Sequence, residues 1–266
     1  KAVLKLYPLQ RTFVTILVAL EELEQILILF DRTRAECGNT LKAFELIPRL
    51  ALELEVSHIP GVIDPFPDTH AYYALLEFTS PKYGDNLRSQ IEKVFEQAFS
   101  DRVITDAVIA ESMAQAKELW KIREEIPAAQ SKEGSSIKHD VAVPVTSSVE
   151  FIKKATQLVE AELPSIRVCA FGHIGDGNIH FNLTQPVKAG KKEFLQKRDD
   201  FNRIVHDLVV SMKGSISAEH GIGLSKRDEL STYSSTVELD LMRQIKRALD
   251  PQNLMNPNKI IHLNPP

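Results

Sequence analysis

His173, His180 and Asn182 fall within Phe171-Gly172-His173-Ile174-Gly175-Asp176-Gly177-Asn178-Ile179-His180-Phe181-Asn182. Glu219 and His220 fall within Ser217-Ala218-Glu219-His220-Gly221-Ile222-Gly223. Gly175-Asp176-Gly177-Asn178 signals a tight turn, because Asp-Gly suits the positive-φ positions of a two-residue hairpin loop. A turn centred between Asp176 and Gly177 sets Ile174 opposite Ile179 and His173 opposite His180. Facing residues on an antiparallel pair bring their Cβ atoms to about 5 Å, so two imidazoles so placed can share one ion. Asn182, two residues on, projects from that same face, while Ile179 and Phe181 point the other way into a core. Two histidines and Glu219, with one position left open, form a common catalytic zinc set; manganese or iron suits the same donors. His220 is then free to move protons. The plainer alternatives are hydrogen-bonded core histidines, a turn that is only a turn, and a helix N-terminus at Glu219-His220. Gly172-x-x-Gly175 is no phosphate loop, since no Lys-Ser/Thr follows it.

A third candidate lies earlier. Arg123 ends a predicted helix and Lys138 sits on the next strand. Both could grip an anionic substrate, and arginine pairs with a carboxylate in bidentate fashion. The alternative is a solvated charge on a helix that carries many.

Positioning these groups requires strands alternating with helices. The sequence predicts strands over 12–20, 41–46, 72–78, 102–107, 137–143, 165–172 and 178–184. Helices are predicted over 21–35, 48–55, 87–99, 110–126, 149–163, 191–212 and 236–249. Pro127 is expected to stop its helix, because proline removes a backbone donor. Residues 58–70 and 132–136 read as loops, and 250–266 as a mostly irregular tail. Several strands are polar on one side, which favours antiparallel or mixed sheets with helices on one face. The expected class is α+β, with two ferredoxin-like halves meeting near residue 105, about 1–105 and 106–266.

Composition narrows the function. The chain has 266 residues, 43% hydrophobic and 26% charged, with a formal net charge of −4. That size supports a large core, and the absence of a basic excess argues against nucleic-acid binding. Cys37 and Cys169 are too far apart in sequence to form a disulfide framework, so a reducing, cytoplasmic setting is the default. The longest apolar runs are too short to span a bilayer.

GHIGDGNIHFN, then SAEHGIGLSKRDEL, then ALDPQNLMNPNKI resemble the C-terminal half of flavin-linked D-2-hydroxy-acid dehydrogenases of the vanillyl-alcohol-oxidase-like group. Leu41 to Leu46 and Leu119 to Arg123 fit as well, so the resemblance covers nearly the whole chain. It is nearest to the members that oxidise D-2-hydroxyglutarate; D-lactate and glycolate enzymes are relatives. It implies His173, His180 and Glu219 as ligands of a divalent metal, usually zinc. Arg123 and Lys138 would hold substrate carboxylates, Asn182 would touch the substrate, and His220 would act as general base. Asn256 and Lys259 of the tail fall to the cofactor side. Two departures stand out: Pro127 replaces a threonine, which removes a hydroxyl donor, and Asn258 replaces a glycine of the tail motif. The implied reaction oxidises a D-2-hydroxy acid to the 2-oxo acid by hydride transfer to FAD. Electrons then pass to an acceptor such as an electron-transfer flavoprotein or a quinone. The resemblance also implies that FAD is held mainly by an N-terminal domain beyond this chain. The 266 residues would then be the substrate and metal domain, inactive alone, and able to self-associate through the uncovered face. A peripheral membrane or mitochondrial setting is compatible with it. The rival from another class is a non-catalytic metal-binding or ligand-sensing module.

Overall fold

The computed structural model describes residues 2–82 and 86–263. Seven strands run in chain order as β1 (Thr12–Leu20), β2 (Leu41–Pro48), β3 (Tyr72–Ser80), β4 (Asp106–Ile109), β5 (Ser136–Ala142), β6 (Arg167–His173) and β7 (Asn178–Thr184). They form one sheet in the order β4-β1-β3-β2-β6-β7-β5, and every pairing is antiparallel. The α+β expectation therefore holds.

Two ferredoxin-like arrangements lie edge to edge. In the first, α1 (Gln25–Cys37) links β1 to β2 and α3 (Leu87–Ser100) links β3 to β4, giving the order 4-1-3-2. In the second, α6 (Ser148–Glu162) links β5 to β6, and α7 (Lys191–Gln196) and α8 (Arg198–Ser211) follow β7. A fourth strand is reduced there to the single antiparallel bridge between Ala142 and Ser215. The seam is short: β2 meets β6 only at Glu45–His173 and Leu46–Gly172.

Strand alternation supplies both faces with apolar side chains. On one face Ile16, Val18, Leu46, Leu76, Ile179 and Phe181 pack against α1, α3, α6 and α8. On the other, Leu17, Ile47, Leu75, Cys169 and Phe171 pack against α2 (Arg49–His58), α4 (Met113–Glu124) and α5 (Ile126–Glu133). Helices thus cover both faces, where the sequence predicts one. The polar positions that suggested an open face, Glu45, Asp140 and His180 among them, are buried instead. Their partners come from other elements, Arg123 and His173 for Glu45 and His180 for Asp140, which polar alternation in one strand cannot reveal.

Pro127 also acts differently from expectation. It occupies the first turn of α5, where its missing N–H costs nothing, so α4 hands over to a second helix. That helix carries Gln130 beneath the cleft described below. The predicted 191–212 helix breaks at Lys197, and α9 (Arg227–Tyr233) appears where none is predicted. The strand expected over 102–107 is β4, 106–109. It lies beyond residue 105 yet pairs with β1. The last helix, α10 (Thr236–Leu249), is capped by the Ser235 hydroxyl accepting from the Glu238 N–H. No helix among the described residues is long and apolar enough to cross a membrane.

Candidate active site

The cleft lies at the seam between the two halves, on the α4–α5 side of the sheet. It encloses about 500 Å³ and is lined by Arg123, Lys138, Asn182, His173, His180, Glu219 and His220, among others. All seven residues assigned from the sequence to substrate, metal and proton transfer therefore share one cavity. Asn256 and Lys259 do not; both are exposed in the tail. That tail is tied to the 221–227 segment, by the Ile260 N–H to the Gly223 carbonyl and by Arg227 Nη1 to the Asn258 carbonyl.

The hairpin register differs from the predicted one. His180 faces Phe171 across the β6–β7 ladder, and His173 faces Glu45 of β2. The link is a 3-10 turn over Ile174–Asp176 closed by Gly177 in the left-handed region, not a two-residue loop. Gly172 causes the change. Its φ of 139° swings the strand end away from β7, and a Cβ there would lie 2.7 Å from the Asn178 carbonyl oxygen. His173 thereby crosses to the other half. The two imidazoles still meet, with ring centroids 5.9 Å apart.

Each histidine presents its two nitrogens to carboxylates. His173 Nδ1 is 2.5 Å from Glu45 Oε1, and its Nε2 is 3.9 Å from Glu219 Oε2. His180 Nδ1 is 3.7 Å from Asp140 Oδ1, and its Nε2 is 3.4 Å from Glu219 Oε1. Two rings thus aim Nε2 at one carboxylate from opposite sides. A carboxylate behind an imidazole fixes its tautomer and orientation, and of the two Nε2 contacts to Glu219 that of His173, at 3.9 Å, is the longer. The metal-capable group among the described residues is Asp140, His180, Glu219 and His220, whose ligand atoms all lie within 4.8 Å of one another; His173, expected as a ligand, stands outside it. Asp140 serves there from behind, since its Oδ2 already accepts two backbone N–H groups and its Oδ1 faces the far nitrogen of His180.

Burial, reinforced by the Arg123 charge, pushes the His180 pKa down to about 4 and keeps the ring neutral. The hydrogen bond to Glu45 raises that of His173. Burial works to raise the Glu45 carboxyl, but the bond from His173 and the Arg123 charge prevail and hold it low. Glu45 is therefore an anion tying the two halves together. Arg123 reaches it from α4, Nε to Oε2 at 2.7 Å, with its guanidinium 4.9 Å above the Phe171 ring.

Lys138 enters from β5, opposite Asn182 in the ladder, and makes no hydrogen bond or ion pair among the described residues. Asn182 is oriented by donating to Gln130 Oε1 at 2.8 Å. His220 is exposed, its side chain 64% accessible, and stacks on His180 with centroids 5.8 Å apart. Glu45, Asp140 and Gln130 escaped the sequence reading. Glu45 lies inside Leu41 to Leu46, and Asp140 is two residues from Lys138 on the same strand face, so period-2 neighbourhood was the available signal.

The fold defines the class first. The chain superposes on p-cresol methylhydroxylase with a TM-score of 0.69 at 12% identity, covering 97% of this chain and 54% of that one. A 4-ethylphenol oxidase from Gulosibacter chungangensis gives 0.58 at 16%, over 96% of this chain and 54% of the other. At these identities the likeness is one of fold. Residues 9–260 match the family "FAD linked oxidases, C-terminal domain", and the chain belongs to it. It is 36% identical over 245 residues to a D-2-hydroxyglutarate dehydrogenase of Xanthomonas citri pv. viticola, covering 92% of this chain and 50% of that protein. The corresponding Stutzerimonas stutzeri enzyme is 36% identical over 220 residues, 83% of this chain and 47% of that one. A mitochondrial D-2-hydroxyglutarate dehydrogenase of Arabidopsis thaliana is 31% identical over 234 residues, 88% and 40%. The chain thus spans about half the length of these bacterial relatives.

Proposed function

We propose that these 266 residues are the substrate- and metal-binding domain of an FAD-dependent dehydrogenase that oxidises a D-2-hydroxy acid, D-2-hydroxyglutarate or a close analogue, to the 2-oxo acid. One observation carries the reading. The cationic groups Arg123 and Lys138 line the same cleft in which two Nε2 atoms converge on Glu219 beside His220. Carboxylate anchors beside a metal-capable donor set and an exposed imidazole match the needs of a 2-hydroxy acid.

When bound, a divalent metal, zinc being the best match to the donors, supplies Lewis acidity, and FAD supplies the two-electron acceptor. The chain's own residues do the rest. Arg123 and Lys138 hold the carboxylates, and Asn182, steadied by Gln130, donates to or accepts from the substrate's polar edge. His220 takes the α-hydroxyl proton as the Cα hydride leaves. Phe171, Trp120 and Pro127 supply the apolar part of the cleft lining. FAD is held by a partner flavin domain, with Asn256 and Lys259 on the side that meets it, and the electrons continue to an electron-transfer flavoprotein or a quinone.

Pro127 favours a second reading within the same chemistry. It lines the cleft without a hydroxyl or N–H to offer, which suits a shorter monocarboxylate such as D-lactate or glycolate. The test is a panel of D- and L-2-hydroxy acids given to the enzyme containing this domain and its flavin domain, with flavin bleaching and dye reduction as readouts. Bleaching by D-acids alone is the expected result. No bleaching by any 2-hydroxy acid would leave the cleft a non-catalytic binding module. Metal analysis accompanies it: His173→Ala and His180→Ala should each lower the bound metal.

A further inference from the structure

Asp140 is buried in β5, directly opposite His180 in the ladder. Its Oδ2 accepts the N–H of Glu219 at 3.0 Å and that of His220 at 2.8 Å. Its main-chain oxygen accepts the Ala218 N–H at 3.1 Å and faces Lys226 Nζ at 3.4 Å. Residues 218–220, the loop that presents the carboxylate and the imidazole, are therefore strung on one residue. Asp140 Oδ1 is buried and has no hydrogen-bond partner among the described residues; it points toward His180 Nδ1 at 3.7 Å. At that separation no hydrogen bond is formed, and the carboxylate acts on the neutral ring through its N–H dipole. An unpaired buried carboxylate oxygen is costly, so this one is spent on orienting something, and His180 is what it faces.

We infer that Asp140 is the positioning residue of the site: one carboxylate fixes the Glu219–His220 backbone and draws the imidazole proton of His180 to Nδ1, leaving the Nε2 lone pair toward Glu219. A carboxylate can only accept, so the nitrogen facing it must carry the hydrogen. Glu219 competes for that proton from 3.4 Å, and a cation between Nε2 and Glu219 ends the competition in favour of Asp140. The tautomer half of the inference rests on the metal reading above. The loop half does not.

Two substitutions separate the halves. Asp140→Asn keeps one oxygen for both backbone N–H groups, but its NH2 faces Nδ1 and asks for a lone pair there, which moves the proton to Nε2. Asp140→Leu removes both functions. Amide hydrogen exchange of Glu219 and His220 in the 266-residue chain should speed up by about tenfold in Asp140→Leu and stay near the parent rate in Asp140→Asn, with β1 and β3 amides unchanged in both. Zinc affinity, read by chelator competition, should fall about 10- to 100-fold in Asp140→Asn although its loop is still held. Should leucine disturb the packing, Asp140→Ala takes its place. Parent-like exchange at Glu219 and His220 in the leucine or alanine variant overturns the loop role. Parent-like zinc affinity in the asparagine variant overturns the tautomer role. If the parent itself takes up no zinc, the metal reading fails and the exchange arm still decides whether Asp140 holds the loop.

Discussion

Arg123 of α4 and Glu45 of β2 form a buried ion pair, Nε to Oε2 at 2.7 Å, and the second oxygen of Glu45 binds His173 of the other half. The pair ties a guanidinium of α4 and the imidazole at the end of β6 to one anion at the seam. Glu45→Ala leaves Arg123 buried and uncompensated. The expected cost is about 3–5 kcal/mol of unfolding free energy, read by chemical denaturation. A loss well under 1 kcal/mol would mean that water already solvates the guanidinium. Zinc affinity should fall with it, because Nδ1 of His173 loses its acceptor.

The site's backbone depends on two glycines, Gly177, which the sequence marks as a turn residue, and Gly172, which it marks as the end of a strand. A Cβ at Gly177 would sit 2.0 Å from the Val143 carbonyl oxygen at a φ of 78°, and one at Gly172 would sit 2.7 Å from that of Asn178. Gly177→Ala and Gly172→Ala should each destabilise by at least about 1–3 kcal/mol, Gly177→Ala more. Gly190→Ala, with nothing within 4 Å of the new methyl, should be near neutral. Denaturation midpoints that fail to rank the three this way would refute the close-approach argument.

Much of this was legible in the chain. Period-2 and period-3.6 patterns located nearly every element, and β1, β7 and α10 match prediction end to end. The motifs placed His173, His180, Asn182, Glu219 and His220 together before any coordinate. The register was not legible, because a positive φ at Gly172 leaves no mark on hydrophobic alternation and reroutes His173 to a strand 128 residues away. Glu45 and Asp140 were missed for a related reason. An acidic residue in a strand reads as solvent-facing until its long-range partners are known.

Glu55 of α2 offers a test by pH alone. It is fully buried, neither carboxylate oxygen has a hydrogen-bond partner among the described residues, and burial, with Glu125 adding repulsion, pushes its pKa up to about 9. The folded chain therefore keeps a proton that the unfolded chain releases above about 4.5. Stability from this group is complete below that pH and declines as pH rises toward 9. Glu55→Gln abolishes the decline, so its stability relative to the parent should grow by about 1.4 kcal/mol per pH unit between pH 5 and 8. Other titrating groups cancel in the difference. A difference that stays flat with pH would show Glu55 ionised inside the fold.

Lys138 and Arg123 can be told apart by substrate. Arg123 is committed through Nε to Glu45 and lies beside Phe171, close to the converging histidines, whereas Lys138 is held only by its own strand. The anchored cation suits the α-carboxylate, whose position relative to the reacting carbon must be fixed, and the unpaired one suits a distal carboxylate. In the enzyme joined to its flavin domain, Lys138→Ala should raise KM for D-2-hydroxyglutarate about 10- to 100-fold, the worth of one charge-assisted contact. It should leave kcat and the KM for D-lactate nearly unchanged. Arg123→Lys should instead lower kcat/KM for both acids, because an ammonium cannot reproduce the fork that binds Glu45 and substrate together. Equal KM losses on the mono- and dicarboxylate in Lys138→Ala would move Lys138 to the α-carboxylate. Turnover of D-lactate alone by the parent would identify the distal end of the cleft, where Pro127 stands, as closed to a second charge.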